Sequence, residues 1–94
     1  MKNLVWSSTF IRKFKRLIRQ NPNLRISIEK TLQKLVDDPF QPSLRSHKLK
    51  GDLSNRWSCS IDYSNRILFK FVINEETQEE EILLLTLGSH DQVY

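Results

Sequence analysis

The sequence predicts an α+β domain of order β-α-α-β-β-β, with a helical hairpin packed on one face of a mainly antiparallel sheet. Three observations lead there. Apolar residues recur at helical spacing between residues 10 and 36. From residue 56 onward the period of the pattern changes to two. The whole chain of 94 residues has only two glycines and three prolines, with 38% apolar and 28% charged residues. That is an ordinary globular mixture, long enough for one core and read as one domain over residues 1–94.

The elements follow in order. Leu4, Val5 and Trp6 form a short apolar run, the first strand. Ser7, Ser8 and Thr9 are N-cap residue types. Phe10, Phe14, Leu17 and Ile18 then make an amphipathic stripe, while Arg12, Lys13, Lys15, Arg16 and Arg19 take most of the remaining helix surface. The residue before a proline avoids the α region, so this helix should end near Gln20 or Asn21. Pro22 suits the first turn of a second helix, buried through Leu24, Ile28, Leu32, Leu35 and Val36 and ended by Asp37-Asp38-Pro39. Residues 40–46 read as an ordered loop, and His47, Lys48 and Lys50 as loop residues beyond it. Over residues 56–62, Trp57, Cys59 and Ile61 alternate with Arg56, Ser58, Ser60 and Asp62. Over residues 66–73, Ile67, Phe69, Phe71 and Ile73 alternate with Arg66, Leu68, Lys70 and Val72, and Ser64-Asn65 suits the intervening turn. A polar loop, residues 74–80, leads to a central strand over 81–87 that Gly88 should break, leaving residues 89–94 as a short tail. If Trp57, Cys59 and Ile61 face the helices, then Arg56, Arg66 and Lys70 share the other face, a cationic surface suited to phosphate.

Charge is unevenly placed. The net +4 resolves into +8 over residues 1–36, −2 over 37–44, +4 over 45–70 and −6 over 71–94. A polyanion would be drawn to the first seventy residues and repelled by the remainder. The same basic residues would also serve as plain solvated helix faces. One cysteine excludes an intramolecular disulfide and a multi-cysteine zinc site, and fits a reducing cytoplasm. No apolar run is long enough to span a bilayer, and none follows Lys2 as a secretory signal would require.

Three segments carry a resemblance. His47-Lys48-Leu49-Lys50-Gly51-Asp52-Leu53-Ser54-Asn55-Arg56-Trp57-Ser58 resembles the "LKGxLsGxWs" segment of the RelE/ParE toxin superfamily. Asn65-Arg66-Ile67-Leu68-Phe69 resembles its "hRLvY" strand, and Leu87-Gly88-Ser89-His90-Asp91-Gln92-Val93-Tyr94 the "GtHxxLf" ending of the YafQ branch. Each motif is short; together, in register behind a basic first helix, they cover nearly the whole chain. The resemblance is nearest to YafQ/RelE-StbE type mRNA interferase toxins. It implies a RelE-like fold and the toxin of a type II toxin–antitoxin pair. It further implies a metal-independent, ribosome-dependent endoribonuclease that cuts A-site mRNA by attack of the RNA's own 2′-hydroxyl. A cognate antitoxin, in a hetero-oligomeric complex, would mask it; the ribosome and mRNA would be its other partners. No cofactor, metal or membrane is implied.

Such a transesterification needs a base for the hydroxyl proton, cations for the phosphorane and an acid for the leaving 5′-oxygen. Histidine exchanges protons near neutral pH, and the only two here, His47 and His90, both lie within the resembling motifs. The resemblance assigns His47 the base or orienting role and His90 the acid. Arg56 and Arg66 suit phosphate clamping, because a guanidinium fork matches phosphate oxygens; a cross-strand ion pair, for instance with Asp62, is the competing role. Lys48, Lys50 and Lys70 suit RNA backbone contacts, as do Arg12, Lys13 and Arg16 on the first helix. Tyr94 stands where YafQ-like members carry an aromatic and would stack on a base or anchor the terminus. Trp6, Trp57 and Cys59 read as structural.

Two departures stand against the family pattern. The second strand histidine of YafQ-like members is replaced by Ser58-Cys59-Ser60, and the arginine before the terminal Gly-x-His by Thr86-Leu87. Two other classes therefore remain open: a ParE-like toxin that inhibits gyrase without cutting RNA, and a degenerate nucleic-acid-binding regulatory subunit.

Overall fold

The computed structural model describes residues 2–51 and 55–93. Its elements are β1 (Asn3–Trp6), α1 (Ser8–Gln20), α2 (Leu24–Asp37), a 3₁₀ turn (Pro42–Leu44), β2 (His47–Lys48), β3 (Trp57–Ser60), β4 (Asn65–Ile73), β5 (Glu80–Ser89) and α3 (His90–Val93). The strands form one mixed sheet in the order β1-β5-β4-β3-β2, with β1 parallel to β5 and the other pairings antiparallel. Helices α1 and α2 cover one face of it, as the apolar stripes require.

The core lies between that face and the hairpin. Phe10 from α1 and Ile28, Leu32 and Leu35 from α2 meet Cys59, Ile67, Phe69, Ile82, Leu84 and Leu87 from the sheet. Trp6 packs edge-on against Phe10 and Phe14, and Trp57 against Phe40 and Phe71. Both tryptophans are thus structural.

Ser7 fixes how α1 leaves the sheet. Its Oγ accepts the Phe10 N–H at 3.0 Å, capping the helix, and donates to the Leu85 carbonyl at 3.1 Å. Leu85 is the extra residue of a bulge: Leu68 opposes Thr86, but Phe69 opposes Leu84. The bulge reverses the alternation of β5, so Ile82, Leu84 and Leu87 all point into the core while Thr86 points away.

Several expectations need correction. Strand β5 does not break at Gly88; Gly88 pairs with Arg66 and Ser89 with Asn65, so the ladder supplies the backbone partners that carry it on. The residues beyond form α3 rather than a loose tail, packed on β4 and β5. Its Val93 is buried, and so is Leu68, which points away from the hairpin. His47 and Lys48 are an edge strand, not loop, because their backbones pair with Ser58 and Trp57. Pro22 lies in the turn before α2, whose first residue is Leu24. The β3–β4 turn is centred on Asp62, not on Ser64-Asn65, because the Asp62 carboxylate accepts the N–H groups of Ser64 and Asn65 at 2.9 and 2.8 Å.

Candidate active site

Residues directly opposite one another in a ladder present their side chains on the same face. On the face turned from the hairpin, His47 stands opposite Ser58, Ser58 opposite Leu68 and Leu68 opposite Thr86. The row beside it is Ser60, Arg66 and Gly88. The row on the other side is Lys70, Leu83 and Val5. Arg56, one residue before Trp57, continues the β3–β4 ladder opposite Lys70, since Trp57 opposes Phe69. The register therefore gathers His47, Arg56, Arg66 and Lys70 on one surface. His90 opens α3 as β5 runs off that surface beside β4, and it is exposed.

His47 is exposed, and its Nδ1 lies 3.2 Å from the Arg45 carbonyl oxygen. A carbonyl only accepts, so Nδ1 bears the proton and, in the neutral ring, the basic lone pair belongs to Nε2. Arg45 caps the 3₁₀ turn in the left-handed region, at φ 51° and ψ 41°, which aims this carbonyl at the ring.

Arg66 is more committed than its sequence position suggests. Its Nη1 donates to the carbonyls of Asp62, Tyr63 and Asn65 at 2.6, 3.1 and 3.0 Å. It pairs with the Asp62 backbone rather than its carboxylate, which is taken up by the turn's N–H groups. One end of this guanidinium thus pins the β3–β4 turn. Lys48 opposes Trp57 and so belongs to the hairpin side of the sheet, not to the face of His47. Lys50 is exposed beside the pairing of the Leu49 N–H with the Arg56 carbonyl at 2.9 Å. Tyr94 lies outside the described residues.

On α1, Arg12, Lys15, Arg16 and Arg19 line one shallow groove, and Lys13 and Arg16 border another. Among the described residues the ion pairs are Lys2–Glu80 and Arg25–Glu29, so this basic face is not neutralised by carboxylates. Cys59 is fully buried, and burial pushes its thiol up to about 12. That thiol is inert as a nucleophile at neutral pH. Among the described residues no cluster of three His, Cys, Asp or Glu side chains could hold a metal ion. Nor is any helix among them long and apolar enough to cross a membrane.

The sequence reading missed two participants. Arg45 orients His47 through its carbonyl, a role set by backbone conformation, and nothing in an Arg-Ser-His string signals a left-handed arginine. Ser58 and Thr86 carry buried hydroxyl oxygens with no hydrogen-bond partner among the described residues, and both sit in the His47 row. Thr86 occupies this face at one of the two positions before Gly88, while Leu87 is turned into the core. The strand alternation already put Ser58 here, but its burial needed the packing of α3.

Comparison with known proteins agrees with this architecture. No curated protein matches by sequence. Among solved structures, a YoeB/ParE toxin from Agrobacterium tumefaciens superposes with a TM-score of 0.77 at 21% identity, covering 96% of this chain and 99% of its own. The Helicobacter pylori protein HP0894 gives 0.70 at 25% identity over 100% of both chains. YafQ in the Escherichia coli DinJ–YafQ complex gives 0.77 at 9% identity, covering 100% of this chain and 99% of its own. The family model for the YafQ bacterial toxin of type II toxin–antitoxin systems matches residues 2–94. With nearly its whole length inside that match, and a mixed five-stranded sheet under two helices, this chain belongs to the YafQ family of type II toxin–antitoxin toxins.

Proposed function

We propose that this toxin is a cytoplasmic, ribosome-dependent endoribonuclease that cuts mRNA in the A site. The carrying observation is the shared face of His47, Arg56, Arg66 and Lys70, at whose edge β5 delivers His90. In this reading Nε2 of His47 takes the proton of a ribose 2′-hydroxyl. The 2′-oxygen forms a bond to the adjacent phosphorus, and the bond from phosphorus to the 5′-oxygen breaks. His90 protonates that leaving oxygen, giving a 2′,3′-cyclic phosphate and a 5′-hydroxyl. Arg56, Lys70 and the remaining nitrogens of Arg66 offset the charge on the phosphorane. The histidines carry both protons, so the reaction should proceed in EDTA.

The basic face of α1, with Arg12, Lys13 and Arg16, would hold ribosomal RNA, and Lys48 and Lys50 would meet RNA backbone at the sheet edge. A cognate antitoxin would cover the toxin, in keeping with the E. coli relative solved in the DinJ–YafQ toxin–antitoxin complex. The test is 5′-end mapping of mRNA after induction, repeated on purified mRNA with and without ribosomes. Cuts confined to ribosome-bound message are expected. Intact message with an SOS response would instead indicate gyrase inhibition, and normal growth without antitoxin a regulatory subunit.

A further inference from the structure

A second concavity adjoins the candidate active site. It holds about 340 Å³ between α2, the 3₁₀ turn and the β3–β4 turn, and is bordered by Lys34, Ser43, Arg45, Ser60, Tyr63 and Arg66. Its three cations come from three separate elements. Among the described residues neither Lys34 nor Arg45 has a carboxylate partner. The one carboxylate of the lining, Asp62, is turned to the N–H groups of Ser64 and Asn65. The field in the cavity is therefore positive.

Tyr63 stands on the rim and is 96% exposed. A ring left in water gains nothing for folding, yet its turn is firmly held: Arg66 donates to the Tyr63 carbonyl, and Asp62 ties the residues on either side. A fixed backbone presenting an open aromatic face is a stacking platform that loses little freedom on binding. The cavity also borders the reacting groups. The Arg45 carbonyl holds His47, and the Ser60–Arg66 row lies beside the His47–Ser58 row.

We infer that this cavity is a nucleotide subsite for the RNA strand, in which Lys34 and Arg45 hold a backbone phosphate and Tyr63 stacks on the attached base. The inference rests on the proposed RNA cleavage and specifies where the strand runs beyond the scissile bond. The cations alone would take any phosphate; the adjoining platform selects a nucleotide.

The test uses the full chain and a fluorescein-labelled ten-nucleotide single-stranded RNA, 2′-O-methylated so that it cannot be cut. Fluorescence anisotropy gives its affinity. Lys34→Gln with Tyr63→Ala should weaken binding by about tenfold or more, as loss of one stacked base and one phosphate contact implies. Tyr63→Phe, which keeps the ring, should bind as the unaltered chain does. On a three-nucleotide RNA too short to span both sites, the double variant should lose much less. Equal affinity of the double variant and the unaltered chain for the long RNA, with cleavage intact in the unaltered chain, would overturn the subsite and leave the enzyme reading standing. An unaltered chain that neither binds nor cuts RNA overturns both. Displacement of the long RNA by inorganic phosphate as readily as by unlabelled RNA would make this a free-anion site and overturn the inference. So would octaglutamate binding that the double variant loses while RNA binding persists, since the cavity would then serve an acidic protein.

Discussion

Replacing His47 by Asn separates the chemistry of the ring from its placement. The Asn Nδ2 lies close to where the imidazole Nδ1 stands, so it can still donate to the Arg45 carbonyl, now 3.2 Å from Nδ1. What is lost is Nε2, the basic nitrogen. General-base catalysis contributes about 10²- to 10⁴-fold to a rate. At about 1.36 kcal/mol per factor of ten, that is a barrier raised by roughly 3–5 kcal/mol. Stability should barely respond, because the ring is exposed and its bond to Arg45 is retained. A loss under about 1 kcal/mol, or less than about 8 °C in Tm, is expected. The assay is single-turnover cleavage of a short message on stalled ribosomes, with thermal melts on the same preparations. A rate within threefold of the unaltered toxin would refute the assignment of the base. A Tm drop of 15 °C would refute it differently, by showing that the ring supports the fold.

Two further predictions concern the fold that holds these groups. The Cys59 thiol, with an ordinary value of 9.0, is pushed up to about 12 in the folded chain by burial. Between those limits the unfolded chain has released a proton that the folded chain keeps, so stability falls as pH rises, by up to about 1.4 kcal/mol per pH unit. Urea unfolding at pH 8, 9 and 10 should show that slope, and Cys59→Ala should flatten it; an identical slope in both proteins would count against a buried neutral thiol. Ser7→Ala removes both the α1 cap and the bond to the Leu85 carbonyl, a loss of about 2 kcal/mol. Ser7→Asp, which restores only the acceptor, should recover about half of the fall in Tm, and full recovery would show that the Leu85 bond contributes nothing.

Much of this molecule was legible before any coordinates. Helices α1 and α2 were readable because each buries one stripe against one surface, which leaves a regular period in the sequence. Strands β3 and β4 were readable for the same reason, and their alternation alone put Arg56, Arg66 and Lys70 on one face. The uneven charge and the two histidines inside the family motifs were also properties of the string. Identification as a superfamily toxin rested on those motifs and agrees with the family match over residues 2–94.

Other features depend on contacts between distant segments, and local residue order does not encode them. The run Ile82-Leu83-Leu84-Leu85-Thr86-Leu87 is apolar at nearly every position, so its phase is undetermined until it pairs with β4. The bulge at Leu85, anchored by Ser7 from across the fold, decides it, sending Leu87 inward and Thr86 toward the His47 face. Strand β2 is two residues long and has no period to read; pairing with β3 alone creates it and turns His47 and Lys48 to opposite faces. The left-handed Arg45 that orients His47, and the three carbonyls that hold Arg66, are likewise set by how turns close. The sequence by itself determined which chemical groups this toxin possesses. Only the tertiary structure decided which of them share a surface, because register, bulges and turn geometry depend on partners far away in the chain.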